Sequence, residues 1–517
     1  GKVVFVNPRK IESSTPETGD VLQIKPDADV YFLAAVLYEI VFVVGFDRDL
    51  VERHAKNLDP LLEFIQRYPP SRVETVTGID ADDIRTVARE FCAAPSASIH
   101  MSTGVNMGRQ GALSYLLVQM ISLFSGNLGR RGGNIYQTGF ARTAPDSKRK
   151  TDQPYFDTPA GEIRYGGSSL PGNLMESIFL QGHSSRTPVR ALLVVGGNPL
   201  LAVCGEQHLR EVFADLELIV CVDLYRNATG EMADYLFPAT DSMEREDLYY
   251  LGPGLHVEPY VQYTPAVVPP AGERREEWWI LSRILQEMGR PSMLDDTDVR
   301  PLGAIDARLA ESDLSIEKLR AMPCQTAVLP EADPRDIFNL AIQNDDGLID
   351  CFPAVFERGL DAVEAQLAER LREPENQLKL ITRRTGLMIN SWMHNLSRLK
   401  KGVHQSNPLW IHPLDAAERG LHYGDKVRVW SEHGSVEASL AFDEALRPGV
   451  VSMSHGWGNQ ATYGQGVAQT YSGSNVNQLS PVGEGSFDIL SSMSHITGFN
   501  VNVELIASSG KAGVSSM

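Results

Sequence analysis

Asp223 closes the apolar run LIVCVD and is followed closely by Asn227 and Thr229. A carboxylate at a strand end can accept two hydrogen bonds at once, from the N1–H and the exocyclic amine of a guanine, and such a pairing is charge-assisted. The plainer alternative is that Asp223 caps a turn or the next helix. Gly196-Gly197-Asn198-Pro199 follows another apolar run, ALLVV. Glycine has no Cβ, so this backbone can approach a phosphate or a ribose closely, although the same four residues also make an ordinary turn. Asn7-Pro8-Arg9 stands after the run VVFV in the same way, and Arg9 could meet a phosphate there. An exposed arginine after a strand usually does nothing of the kind. Towards the other end of the chain come Thr382-Arg383-Arg384-Thr385, His394, and the pair Asn475 and Asn477. Two asparagines one residue apart point the same way on a strand and offer paired donors and acceptors to the edge of a heterocycle. The histidines His394, His404, His412, His422, His433 and His455 are spread without metal-ligand spacing and read as surface or satisfied core residues. No residue stands out as a catalytic acid or base, and none as a metal ligand. Walker A, H-E-x-x-H and G-x-S-x-G motifs are absent, as is a G-x-G-x-x-G after a strand.

These residues need strand ends and loops to hold them. In residues 1–139 the short strand VVFVN precedes helices at about 27–43, 58–67 and 79–93. SASIHMS at 96–102 reads as the next strand, running into the loop Gly104-Val105-Asn106-Met107-Gly108. A helix from Leu113 to Phe124 then ends at Gly126-Asn127, where a left-handed residue is wanted. Residues 140–300 open with a polar, glycine-rich stretch and then repeat the pattern, with strands at 191–196, 218–224 and 235–240 around a helix at 206–216. The expectation is an α/β fold with two doubly wound, mostly parallel-sheet units, whose ligands gather at the carboxyl ends of strands. Residues 301–375 read as a linker with short helices. From 376 to 517 short, closely spaced strands with glycine turns predict a β-barrel. If Asp223, Gly196 and Gly104 jointly cradle a purine and its diphosphate, they must share one cavity.

The 517 residues, 43% of them hydrophobic, are too many for one core of usual size. With 66 acidic against 47 basic residues the net charge is −19, which argues against nucleic acid or an anionic membrane as main partner. An anionic cofactor still fits if glycine loops, helix N-termini and a few arginines outweigh the average field. Five scattered cysteines without C-x-x-C build neither a zinc site nor an iron–sulfur site. An odd number spread this thinly suits a reducing, cytoplasmic compartment. The apolar run Val30 to Phe46 sits at the lower limit for a membrane span and has Glu39 in its middle, so it reads as a buried helix. GKVVFVNPRK is a strand rather than a signal peptide, which suggests that the chain opens inside a fold.

In order along the chain stand VVFVNPRKIES, SIHMSTGVNMGRQG, LFSGNLGRRGGN, LLVVGGNPL, CVDLYRNATGEMADYLFPATDSMERED, and a β unit with WIHPLDAAERGLHYGDKVRVWSEHGSVEA and RPGVV. This order resembles the molybdopterin dinucleotide oxidoreductases of the dimethyl sulfoxide reductase and formate dehydrogenase type. The resemblance runs over roughly Gly1–Arg290 and Leu378–Glu504. It implies two molybdopterin guanine dinucleotides chelating one molybdenum or tungsten, a small-molecule substrate, and an electron-transfer protein or subunit as partner. It also implies a metal-ligand residue and a 4Fe–4S cluster upstream of the block at which this sequence begins. Without them, the expectation is that this polypeptide does not turn over by itself.

Carried over position by position, Asn7 takes the place of an aspartate that contacts one dinucleotide. It keeps an acceptor, gains a donor and loses the charge. Thr103, Gly104 and Met107 fall where the other dinucleotide is touched, and Met107 replaces a polar residue. Asp223 matches the guanine-binding carboxylate, with Thr229 following, and Arg384, Asn475 and Asn477 match barrel positions that close over the pterins. Formate dehydrogenases carry L-R-G-Q-N-N where this chain has NIYQTGFARTAP, and Arg142 is not in the equivalent place, which argues against formate. The implied activity is a two-electron oxidation or reduction. A tungsten hydratase of the same family, or a cofactor-free structural subunit of a redox complex, would share the quoted motifs.

Overall fold

The computed structural model describes residues 1–136, 155–158, 161–164, 170–175, 188–249, 256, 258–295, 300–331, 333–460 and 462–508. Arg142 and most of the glycine-rich stretch lie outside them.

The first unit is built on one helix. β1 (Val3–Val6) pairs in parallel with β2 (Gly19–Leu22), and Val3 lies opposite Gly19. Only glycine fits there, because a Cβ at position 19 would stand 1.8 Å from the Val3 carbonyl oxygen. The chain then enters α1 (Asp29–Glu39), whose apolar residues are buried on every side. That is what a helix without a polar face must do inside a packed domain. Burying each large apolar side chain there contributes about 1.5–3 kcal/mol. The run continues as a π-helical turn at Ile40–Val44 and stops at Gly45, where φ is 92°. Among the described residues no helix is long and apolar enough to cross a membrane. Around α1 pack α2 (Ala81–Ala93) and α4 (Gly111–Phe124), the latter after the single turn α3 (Thr103–Asn106).

Residues 96–102, expected as a strand, form none. Side-chain amides take the places a neighbouring strand would fill. Asn127 Oδ1 accepts from the Ala97 N–H at 2.9 Å, while Asn134 accepts from the Ile99 N–H at 3.0 Å and donates to the Ile99 carbonyl at 2.9 Å.

The second unit holds the parallel sheet β3 (Ala191–Val195), β4 (Leu218–Asp223) and β5 (Tyr235–Pro238) in that order. The crossover runs through α5 (Pro199–Ala202) and α6 (Glu206–Ala214). Leu209 and Phe213 of α6 pack under Ile219 and Cys221 of β4. β6 (Asp247–Tyr249) and β7 (Tyr260–Thr264) form an antiparallel sheet with β8 (Thr326–Val328). Residues 301–375 are therefore packed rather than loose. They supply β8, and their long helix α7 (Glu357–Arg372) sends Val363 and Leu367 into the core around α1.

The expected barrel is present and closed. Its strands are β9 (Leu378–Arg383), β10 (Leu409–Ile411), β11 (Lys426–Trp430), β12 (Ser435–Phe442), β13 (Val450–Ser454) and β14 (Phe499–Ala507). The order around the ring is β9-β13-β10-β12-β11-β14. Alternate residues of β11 and β12, among them Val427, Val429, Val436 and Ala438, point inward and fill the ring with Leu380, Ile411 and Val451. Asn475 and Asn477, expected on a strand, lie instead on a 3₁₀ turn at Val476–Leu479. Asn475 caps that turn, its Oδ1 accepting from the Asn477 N–H at 3.1 Å. All five cysteines are unbridged.

Candidate functional site

Between the first unit and the barrel lies a cavity of about 1340 Å³. This exceeds the ~300–1,000 Å³ of ordinary small-ligand sites and suits an elongated molecule. Asn7, Arg9 and Gly104 line one side, and Arg384 lines the other. Asn7 ends β1 and turns the chain, its Oδ1 accepting from the Arg9 N–H at 2.9 Å. Arg9 is already engaged: Nε donates to Asp443 at 2.8 Å and Nη2 to Glu12 at 2.9 Å. Arg383 of β9 shares Asp443 at 3.0 Å. The Arg9 hydrogen bond holds the Glu12 carboxyl down at about 2. Two arginines thus meet the cavity partly neutralised, and a phosphate approaching Arg9 competes with Asp443. Arg384 is exposed and donates to Asn390 at 2.6 Å. Gly104 opens α3, and a Cβ there would meet no atom within 4 Å. The chain itself therefore leaves that position clear. Thr103 is exposed on the same turn, and the Met107 carbonyl at its end accepts from the Ile496 N–H at 3.2 Å.

Two carboxyls that sequence reasoning missed stand on the wall of this cavity, Asp27 and Asp29. Asp27 has φ of 57°, uncommon for a residue other than glycine. Its carboxylate takes Arg109 Nε at 2.8 Å, the Arg109 N–H at 2.8 Å and Arg370 Nη2 at 2.8 Å. Burial opposes ionisation, but Arg370 and Arg109 prevail and hold Asp27 far below the usual carboxylate range. Asp29 behaves in the opposite way. Burial, helped by the negative charge of Asp27, pushes it up to about 7. The only sequence signal was two acids straddling the start of α1, which reads first as favourable helix N-terminal charge.

The remaining candidate residues gather elsewhere. Gly196 and Gly197 end β3, and Asp223 ends the adjacent strand β4. Gly196 has φ of +60° and nothing within 4 Å of a Cβ position. Asp223 accepts from the Tyr225 N–H at 3.2 Å and from Asn227 Nδ2 at 3.1 Å. Burial pushes its carboxyl up, against N–H donors from Tyr225 and Leu224. The Thr229 hydroxyl donates to Asn198 Oδ1 at 2.8 Å, so Thr229 positions Asn198. Asn198 Nδ2 is buried and has no hydrogen-bond partner. The barrel reaches this cluster through its asparagines. Asn475 Nδ2 donates to Glu206 at 2.8 Å, and Asn477 Nδ2 to the Leu201 carbonyl at 2.7 Å. Both amide nitrogens serve the junction between units instead of standing free to meet the edge of a heterocycle.

The thirteen residues therefore divide into two neighbourhoods, each bordered by an α/β unit and the barrel. The expectation that Asp223, Gly196 and Gly104 line one cavity is not met. Gly104 stands on the wall of the large cavity, while Asp223 and Gly196 do not border it. The reason is topological, since β1 and β4 belong to separate sheets, each with its own strand ends.

A small barrel clasped to two α/β units, with glycine turns at the strand ends, defines a nucleotide-cofactor protein. Residues 3–287 match the family described as Molybdopterin oxidoreductase, and residues 378–485 match the Molydopterin dinucleotide binding domain. The chain belongs to the molybdopterin oxidoreductase family.

Among relatives, formate dehydrogenase H of Escherichia coli (strain K12) is 27% identical over 57% of this chain and 42% of its own length. The molybdopterin-containing subunit of thiosulfate reductase from Salmonella typhimurium is 23% identical over 93% of this chain and 67% of its own. Acetylene hydratase of Syntrophotalea acetylenica is 22% identical over 88% and 66%. The chain thus spans between about two fifths and two thirds of the length of these relatives. In fold it is similar to the solved acetylene hydratase from Pelobacter acetylenicus, with a TM-score of 0.75 at 20% identity, covering 97% of this chain and 73% of that one.

The residues present fit a molybdopterin cofactor. Asn198 Nδ2 is an orphaned buried donor, and the Gly196 and Gly104 backbones are open to close approach. Among the described residues no group of three or more His, Cys, Asp or Glu could hold a metal ion.

Proposed function

We propose that this chain holds two molybdopterin guanine dinucleotides that carry one molybdenum or tungsten, as part of an oxidoreductase acting on a small molecule. The observation that carries the reading is an unsatisfied Asn198 donor near an Asp223 carboxylate that has no cationic partner among the described residues, beside the open Gly196 turn. Guanine complements both: it offers an acceptor to Asn198 and two further N–H donors to the remaining lone pairs of Asp223. In this reading Asn7, Arg9, Thr103, Gly104, Met107 and Arg384 border the second dinucleotide around the large cavity. Asn475 and Asn477 position the first through Glu206 and Leu201. When bound, the metal pterin supplies the two-electron chemistry, and this chain supplies placement and local field.

An electron-transfer protein or subunit completes the reading. We place the protein in the cytoplasm and read residues 1–139, 140–300 and 376–517 as the cofactor-binding domains.

The test is acid release of nucleotide from purified protein together with metal analysis. Near one molybdenum or tungsten and two guanine nucleotides per chain are expected. Asp223→Asn should retain roughly tenfold less of one of them, since a hydrogen bond to a charged group contributes about 1.5–3 kcal/mol. Protein free of metal and guanine would leave the structural-subunit reading. Turnover of an alkyne without a redox dye would favour a hydratase.

A further inference from the structure

A second, smaller chamber of about 200 Å³ lies on the barrel side of Arg383, walled by the loop after β9, by Trp410 of β10 and by Trp457. It has room for several waters, since one needs only about 10–15 Å³. Lys400 sits in this wall, 5% exposed. Its Nζ lies 2.7 Å from His394 Nδ1, 3.6 Å from Met388 Sδ and 4.2 Å from the centre of the Trp457 ring. Among the described residues no carboxylate pairs with Lys400 and none lines the chamber. Arg383 also borders it, partly neutralised at 3.0 Å by the Asp443 carboxylate that it shares with Arg9. Thr385, Ser406 and Ser454 bring hydroxyls to the wall, and the Trp457 Nε1–H is buried without a partner.

A buried ammonium normally has a counter-ion, because an unpaired buried charge costs several kcal/mol. Lys400 has a neutral imidazole and an aromatic face instead, and burial lowers its pKa to about 8. The missing partner is a negatively charged hydrogen-bond acceptor, and the adjoining space, apolar over most of its wall, offers the donors of Lys400 and the hydroxyls. The geometry points to a binding site for one small monoanion, a carboxylate or an inorganic oxyanion, held by Lys400 with the wall hydroxyls. The chamber adjoins the large cavity, with Arg383 on the wall of both, but Lys400, Trp410 and Trp457 line the chamber and not the large cavity.

The test is titration of the purified full chain with formate, nitrate and sulfate, followed by calorimetry and by the indole fluorescence to which Trp410 and Trp457 contribute. Saturable binding of the monoanions is expected, stronger than that of sulfate. Lys400→Met should weaken it about ten- to a hundredfold, from the ~1.5–3 kcal/mol of a charge-assisted hydrogen bond. The exposed neighbour variant Lys401→Met should leave it unchanged. Lys400→Met should melt no lower than the parent, because an uncompensated buried charge has gone. If that variant does not fold, the rate at which Lys400 of the parent protein is acylated by acetic anhydride serves in its place. A bound anion keeps the amine protonated and should slow that reaction. No saturable monoanion binding, equal affinity in Lys400→Met, or an acylation rate indifferent to formate and nitrate would each overturn the proposal.

Discussion

Asp27 and Asp29 show how much of a side chain's chemistry is decided by what surrounds it. They are two residues apart and identical in type, yet two arginines keep one ionised while burial keeps the other protonated near neutrality. The Asp29 carboxyl has a folded pKa of about 7, above its value in an unfolded chain, so the folded state binds its proton more tightly. Its stabilising share is full at low pH and is lost as pH rises from the unfolded value through 7. Asn at this position should therefore raise the melting temperature at pH 8 and give little change at pH 5. Melting curves of Asp29→Asn and the parent at both values check this, and equal shifts at the two pH values would refute it. The places of Asp223, Gly196 and Asn198 at strand ends were legible in the sequence because glycine turns and a polar residue closing an apolar run leave a local signature. Asp27 and Lys400 leave little, because their properties come from partners far away along the chain, Arg370 for Asp27 and Trp457 for Lys400, and Asp29 owes its shift to burial that no local pattern reveals.

Elements were legible where hydrophobic period was unambiguous. β3 and β4, the helix α4 and the alternating barrel strands β11 and β12 all follow from it. The failures fall where side chains replace backbone as hydrogen-bond partners. Residues 96–102 have the composition of a strand, but their partners are asparagine amides, which no period predicts. Removing Asn134 with alanine should leave the Ile99 N–H and carbonyl without their amide partner and cost about 1–3 kcal/mol. Hydrogen exchange at residues 97–100 should speed up while that of α4 stays slow, and unchanged exchange there would refute the assignment. Asn475 and Asn477 illustrate the same limit. Spacing of two residues implies one face of a strand, but an asparagine that caps its own turn converts the segment to 3₁₀ geometry.

The whole molecule is joined by a few buried polar contacts between parts distant in sequence. α7 is tied to α1 by the Tyr31 hydroxyl donating to the Val363 carbonyl at 2.8 Å, and to Asp27 by Arg370. The barrel is tied to the second unit through Glu206, which receives Asn475 at 2.8 Å and Gln478 at 3.0 Å while pairing with Arg210 at 2.7 Å. Glu206→Ala strands these donors, and the buried Asn475 amide alone should cost about 1–3 kcal/mol. Limited proteolysis should then cut between the second unit and the barrel sooner than in the parent, and an unchanged digestion pattern would count against this junction. Composition and pattern made the α/β units and the barrel legible, but not that residues 301–375 would divide between two cores, Leu309 to Leu329 packing with β6 and β7 and Cys351 to Leu367 with α1. α7 carries mixed charge, and its buried side is recognisable only once α1 is in place beside it.

The barrel has one further consequence. Its first strand, β9, pairs with its last, β14, with Leu378 opposite Val501. The ring therefore cannot shut until β14 has been made, after all the other strands of the barrel. Until then β9 presents an open edge to the cell, and the slow pairing of distant strands comes last.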